Sequence, residues 1–169
     1  MSNELLYEVR DGIGRVTFNR PQARNALTTA MYVELERIAR TAVDDASVRV
    51  LILRGAGDKA FASGSEISEF LEYKSGADGI AYERRLDSVL DALERCPKPV
   101  IAAIAGACTG GGALIASVCD LRLGAQGARI GVPVARTLGN CIALSSMVRV
   151  ASLIGIGRVQ EMKIGRAHV

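Results

Sequence analysis

Two stretches of this 169-residue chain are apolar at nearly every position, VRVLIL at 48–53 and VIAAIA at 100–105, and each gives way to glycine within two residues. A strand written this way, without alternation, reserves no side for water. It is expected to be covered on both faces, as in a parallel sheet flanked by helices. Pro97 and Pro99 precede the second run and stay outside it, because proline cannot donate to a sheet ladder. Between and around these strands the spacing of apolar residues is helical. Thr28 is placed to cap a helix with Met31, Leu35, Ile38 and Ala42 on one stripe, fraying at Asp44-Asp45. A longer helix is expected over about 79–95, with Tyr82, Leu86, Val89, Leu90 and Leu93 aligned. A helix follows the glycines at 110–112 and ends near Val118, and CDLRLGA at 119–125 reads as another strand. Strand, helix and strand in this order predict an α/β fold with right-handed crossovers. A hairpin, Leu6–Arg10 and Arg15–Asn19 around Asp11-Gly12, opens the chain. A short helix from near Glu66 and a further helix within 139–155 complete the pattern, and no linker or repeat divides it.

Composition narrows the function classes. At 49% hydrophobic and 4% aromatic, with no Trp, the chain suits close helix-on-sheet packing rather than a base-stacking surface. The net charge of +3 comes from scattered Lys and Arg, which argues against nucleic acid as a partner. Cys96, Cys108, Cys119 and Cys141 are irregularly spaced, and the single histidine is His168. The expectation is therefore free thiols, no metal and a reducing, cytoplasmic setting. The acidic start lacks a signal-peptide pattern and no apolar run reaches membrane-spanning length. The closing IGRAHV matches a translated sequencing adapter. The domain is therefore expected over 1–162, incomplete at its C-terminus, with 163–169 a scar and His168 outside any catalytic role.

CTGGGALIASVCDL at 108–121 carries the chemistry. A strand ending in glycines that open a helix leaves main-chain N–H groups unpaired at the positive end of the helix dipole, and such a place holds an anion. The anion is either a phosphate or an oxyanion that develops during a reaction. The Lys-Ser/Thr pair of a Walker loop is missing, since Ala113-Leu114 follows the glycines, and there is no GxGxxG.

The stretch IAAIAGACTGGGALIASVCDL, Ile101 to Leu121, resembles the signature of the enoyl-CoA hydratase/isomerase (crotonase) family. NRPQARNALT at 19–28 and DKAFASGSEISEF at 58–70 are similar to two further motifs of that family, in the same order and spacing. The resemblance implies a crotonase (ClpP/crotonase-like) fold of repeated β-β-α units around a spiral core, here without its C-terminal helical region. It also implies an acyl-CoA thioester as ligand, with CoA entering as part of the substrate and no separate cofactor. The parent would assemble as a homotrimer or hexamer. Carried over by position, the oxyanion hole consists of the N–H groups of Ser63 and Gly111. The CoA portion is expected along Ala62, Gly64, Ser65 and Glu66 and along Arg24 and Ala26, with Gly110 beside the thioester. Arg20, Arg24 and Lys59 are candidates for its phosphates, though isolated charges of this kind read first as solvated surface residues.

The hydratases of this family use two glutamates, and both positions are aliphatic here: Leu114 in the glycine-led helix and Val134 after Pro133. Aliphatic side chains move no protons. Glu66 and Glu69 read as helix-capping acids, Asp120 as a turn former and Cys108 as a packed thiol. Arg136 and Asn140, with Leu114 and Val134, are candidates for the acyl pocket. Two functions stay open at this point: an enzyme working through a thioester enolate (hydration, isomerisation or related chemistry), and a catalytically silent acyl-CoA binder.

Overall fold

The computed structural model describes residues 3–139 and 141–164. Strands β1 (Leu5–Arg10) and β2 (Ile13–Phe18) form the expected hairpin. Its turn residues Asp11 and Gly12 both take positive φ, 55° and 82°, as a two-residue turn matched to strand twist requires. Helix α1 (Thr29–Ala42) starts where the Thr28 side chain accepts from the Met31 N–H, and it buries the expected stripe. Then come β3 (Val50–Gly55), β4 (Ala60–Ala62), a short 3-10 turn at Ile67–Glu72, and α2 (Gly76–Glu94). The second helix begins three residues earlier than its apolar stripe suggests, because Ser75 and Asp78 form a capping box. The chain continues through β5 (Val100–Ile104), β6 (Ala107–Thr109), α3 (Gly111–Val118), β7 (Leu121–Gly124), β8 (Arg129–Gly131), α4 (Val134–Leu138), α5 (Leu144–Ile154) and α6 (Ile156–Ile164).

Two sheets result. The larger runs β1-β2-β3-β5-β7 and is parallel apart from β1; the smaller runs β4-β6-β8 and is parallel throughout. From β3 onward each strand of the large sheet is followed by one of the small sheet and then by a helix, so the repeated β-β-α units are present. Phe18 and Phe61 meet edge to face at 5.3 Å where the sheets join. Asn25 ties the N-terminal motif to this junction. Buried in the left-handed region at φ 55°, it accepts from Arg20 N–H at 3.0 Å and donates to the carbonyls of Ala56 at 3.1 Å and Ala60 at 2.7 Å.

The expectation of burial on both strand faces is corrected. Leu51, Leu53, Val100, Ala102 and Ile104 are packed in one core with α1, α2 and α3, but alternation returns on the other face. There Val50, Ile52, Ile101 and Ala103 are half-buried, Arg54 is exposed, and in β7 Leu121 and Leu123 are 54% and 61% exposed. The order β3-β5-β7 steps across the sheet in one direction, and right-handed crossovers taken in one direction put their helices on one side.

Candidate active site

The C-terminal ends of β4, β6 and β8 lie side by side, and the residues at or just beyond those ends line one pocket of about 140 Å³: Ser63 to Ser65, Thr109 to Gly111, and Val132 to Val134. Helix α2 adds Tyr82, Glu83 and Leu86, and the segment around the start of α5 adds Cys141 to Ala143 and Ser146. The volume suits a group near the size of a benzene ring.

Two lining residues offer main-chain donors. Gly111 is the first residue of α3, and its N–H has no acceptor among the described residues, while Gly110 N–H bonds the Gly131 carbonyl and Leu114 N–H bonds the Gly110 carbonyl. The other donor is not the one expected. Ser63 N–H is committed to the Arg24 carbonyl at 3.1 Å. Leu27 pairs around Ser65: its N–H bonds Gly64 O and its carbonyl accepts from Glu66 N–H, both at 2.8 Å. That register leaves the N–H of Ser65 without an acceptor among the described residues. A two-residue shift along a strand-like segment keeps the same facing, so Ser65 inherits the place assigned to Ser63.

The two loops come close because glycines leave no side chains between them. Gly110 sits at φ 53°, ψ −126°, and a Cβ built there would lie 3.3 Å from Gly64 Cα. A Cβ on Gly111 would run into the Tyr32 hydroxyl and stand 3.4 Å from Ser65 Oγ. That hydroxyl belongs to a small network: Ser65 Oγ lies 2.8 Å from Tyr32 Oη and 2.6 Å from Tyr82 Oη. Burial pushes both phenols above their usual range, so both stay neutral.

Of the expected CoA-side residues, Ala62 is buried and Ala26 half-buried, and Arg24 and Lys59 are exposed without an ion pair to a described residue. Arg20 is committed: it holds Glu4 at 3.1 Å, Glu66 at 2.9 Å and the Ala26 carbonyl at 2.8 Å. The Ser68 hydroxyl first, and Arg20 second, hold the Glu66 carboxyl below its ordinary range. Glu69 caps α1 by accepting from Thr29 N–H at 2.9 Å and Thr29 Oγ at 2.7 Å. Asp120 accepts from Val100 N–H at 2.7 Å, a turn-ordering contact away from the pocket. Burial pushes the Cys108 thiol up to about 12, and it lies outside the lining.

The aliphatic pair is in place: Leu114 and Val134 both line the pocket. Arg136, on the short helix α4, is exposed and is not among the described lining residues. Asn140 falls outside the described residues. The sequence reading missed Glu83. It is the one carboxylate among the described lining residues, half-buried, with no hydrogen bond or ion pair to a described residue. Burial first and the Asp87 charge second raise its carboxyl above the ordinary range. Its position between Tyr82 and Leu86, at the margin of the apolar stripe of α2, was the available signal. No group of His, Cys, Asp and Glu among the described residues is arranged to hold a metal ion, and no helix among them is long and apolar enough to cross a membrane.

The model of the enoyl-CoA hydratase/isomerase family matches residues 8–167. The short-chain-enoyl-CoA hydratase of Clostridium acetobutylicum is 34% identical over 160 residues, 95% of this chain and 60% of the relative. An enoyl-CoA hydratase/carnithine racemase from Magnetospirillum magneticum superposes with a TM-score of 0.90 at 36% identity, covering 96% of this chain and 61% of that one. An enoyl-CoA hydratase of Mycobacterium smegmatis superposes at 0.89 with 31% identity, covering 97% and 63%. The chain thus spans about three fifths of the length of the relatives it matches. With the repeated units, the paired glycine loops and these matches all agreeing, the chain belongs to the enoyl-CoA hydratase/isomerase family, and its fold is the crotonase fold.

Proposed function

We propose that the protein binds an acyl-CoA thioester and stabilises the enolate of its acyl group between the N–H groups of Ser65 and Gly111. The observation that carries this reading is the pair of unbonded main-chain donors on two loops that Gly64, Gly110 and Gly111 let approach each other in the lining of an apolar pocket. Donors fixed before the reaction stabilise developing negative charge without reorganising, each worth on the order of 10²–10³ in rate. The CoA moiety would lie over Arg24, Ala26 and the Ala62–Glu66 loop, whose backbones are joined through Arg24 and Leu27. No cofactor beyond the CoA of the substrate enters this reading. A cytoplasmic homotrimer or hexamer acting in fatty acid metabolism, as isomerase or lyase, is the setting it expects, with neither nucleic acid nor membrane as partner.

One observation favours a second reading, a silent acyl-CoA binder: hydrocarbon at Leu114 and Val134 where a two-glutamate hydration needs acids. Offering crotonyl-CoA and a β,γ-enoyl-CoA in deuterated water separates the two. Incorporation of deuterium at the α-carbon, or turnover of either substrate, supports the enzyme. Binding of both without exchange or turnover leaves the silent binder.

A further inference from the structure

Once Leu114 and Val134 are hydrocarbon, no carboxylate, histidine or thiol among the described residues lines the wall of the pocket that holds the donors. The α2 wall carries a carboxylate. Glu83 reaches the same pocket as Ser65, Gly111 and Leu114, and its carboxylate spends itself on no capping bond and no ion pair to a described residue. In that it differs from its neighbours. Asp78 caps α2, Glu66 and Glu69 are bonded as described, and Asp87, Asp91 and Glu94 all engage Arg149 of α5. A half-buried carboxylate kept free at the edge of an apolar cavity costs the fold stability and returns no structural contact.

We propose that Glu83 is the proton-transfer residue of this site, replacing from α2 the acids that are absent at Leu114 and Val134. The proposal rests on the acyl-CoA reading above. The Glu83 carboxylate removes a hydrogen from the α-carbon of the thioester: the C–H bond breaks, an O–H bond forms on Glu83, and the C–H electron pair becomes the enolate C=C. The carbonyl oxygen then carries the negative charge between Ser65 and Gly111 N–H. When the Glu83 O–H trades its proton for a solvent deuteron before returning it, the α-carbon gains deuterium, which is the exchange. For a β,γ-enoyl chain, return to the γ-carbon moves the double bond, so one carboxylate suffices for isomerisation with no water added. The groups around Glu83 are Tyr82 beside it on α2, Tyr32 on α1, Asp87 one turn on, the Arg149 that holds Asp87, and Cys141 across the pocket. Arg149 is the only cation among them, and it is already shared by three carboxylates.

The test is exchange of the α-hydrogens of butyryl-CoA in deuterated water, followed by NMR, with affinity measured by calorimetry. Wild type is expected to exchange, at a rate that rises with pH as Glu83 ionises. Glu83→Gln should lose at least 10²-fold in exchange rate and its pH dependence, with Kd within threefold of wild type, and Glu83→Asp should keep part of the rate. Exchange by E83Q within threefold of wild type overturns the role of Glu83 and leaves the enolate reading standing. Wild type that binds without exchanging overturns the role of Glu83 as well, and supports the silent binder. Absence of binding by wild type removes the acyl-CoA reading, and this proposal with it.

Discussion

On one wall of the pocket the proposed chemistry is main chain: the N–H groups of Ser65 and Gly111, held by strand register and by glycines that let two loops touch. On the α2 wall it is side chain: Glu83 at the rim of a helix, and Tyr82 reaching across to Ser65 Oγ. The first wall tolerates changes of side chain as long as nothing grows into the gap, and the second depends on the identity of each group. A family that varies its reactions over one fold can keep the first constant and rewrite the second.

The sharpest way to break this division is Gly111→Ala. Its Cβ would drive into the Tyr32 hydroxyl and part the donors, so α-hydrogen exchange should fall by roughly 10²–10³. Adding Tyr32→Phe clears the obstructing oxygen and should recover part of that loss; equal rates in G111A and G111A/Y32F would show that the clash is not the cause. A smaller effect is expected from Ser65→Ala, which keeps the donor N–H and deletes the hydroxyl that two tyrosines hold. A loss of about fivefold to tenfold in exchange, equivalent to one hydrogen bond, is expected. A loss as large as that of G111A would mean that the hydroxyl itself does the chemistry.

The smallest effect is on stability. A folded-state carboxyl raised above its unfolded value, about 4.3 for glutamate, binds its proton more tightly in the fold. Stability therefore drops as pH climbs through the window between the two values, and stays lower above it. Glu83→Gln removes that penalty. It should melt higher than wild type at pH 7, with the difference vanishing below about pH 4. A lower Tm for E83Q at pH 7 would count against a free carboxylate at this position.

Much of this was legible in the sequence. Thr28 and the Met31 to Ala42 stripe placed α1, the three motifs placed the loops, and Leu114 and Val134 were both found lining the pocket. Three things were not, each for a physical reason. Strands of three residues, such as β4, β6 and β8, are too short to show a period. Ser63, Gly64 and Ser65 are equally small, so which N–H is left unbonded depends on how Leu27 and Arg24 pair with them. The orientation of Glu83 depends on how α2 rolls against α1 and α3, which its own spacing leaves open. The apolar run at 48–53 was over-read, since hydrophobicity records what a strand tolerates and the crossovers decide which face the helices cover.

Asn25 has one more consequence, for the order in which the fold assembles. Its two donated bonds reach 31 and 35 residues ahead, to a junction that exists only after β3 and β4 have docked. Contacts of that span close late, because the loop entropy between them must be lost first. Truncating Asn25 should therefore act on the descent from the transition state rather than the climb to it: the protein would fold at nearly its normal rate and come apart faster. The residue that joins the 19–28 motif to the loops of the proposed site would then set the lifetime of the native state.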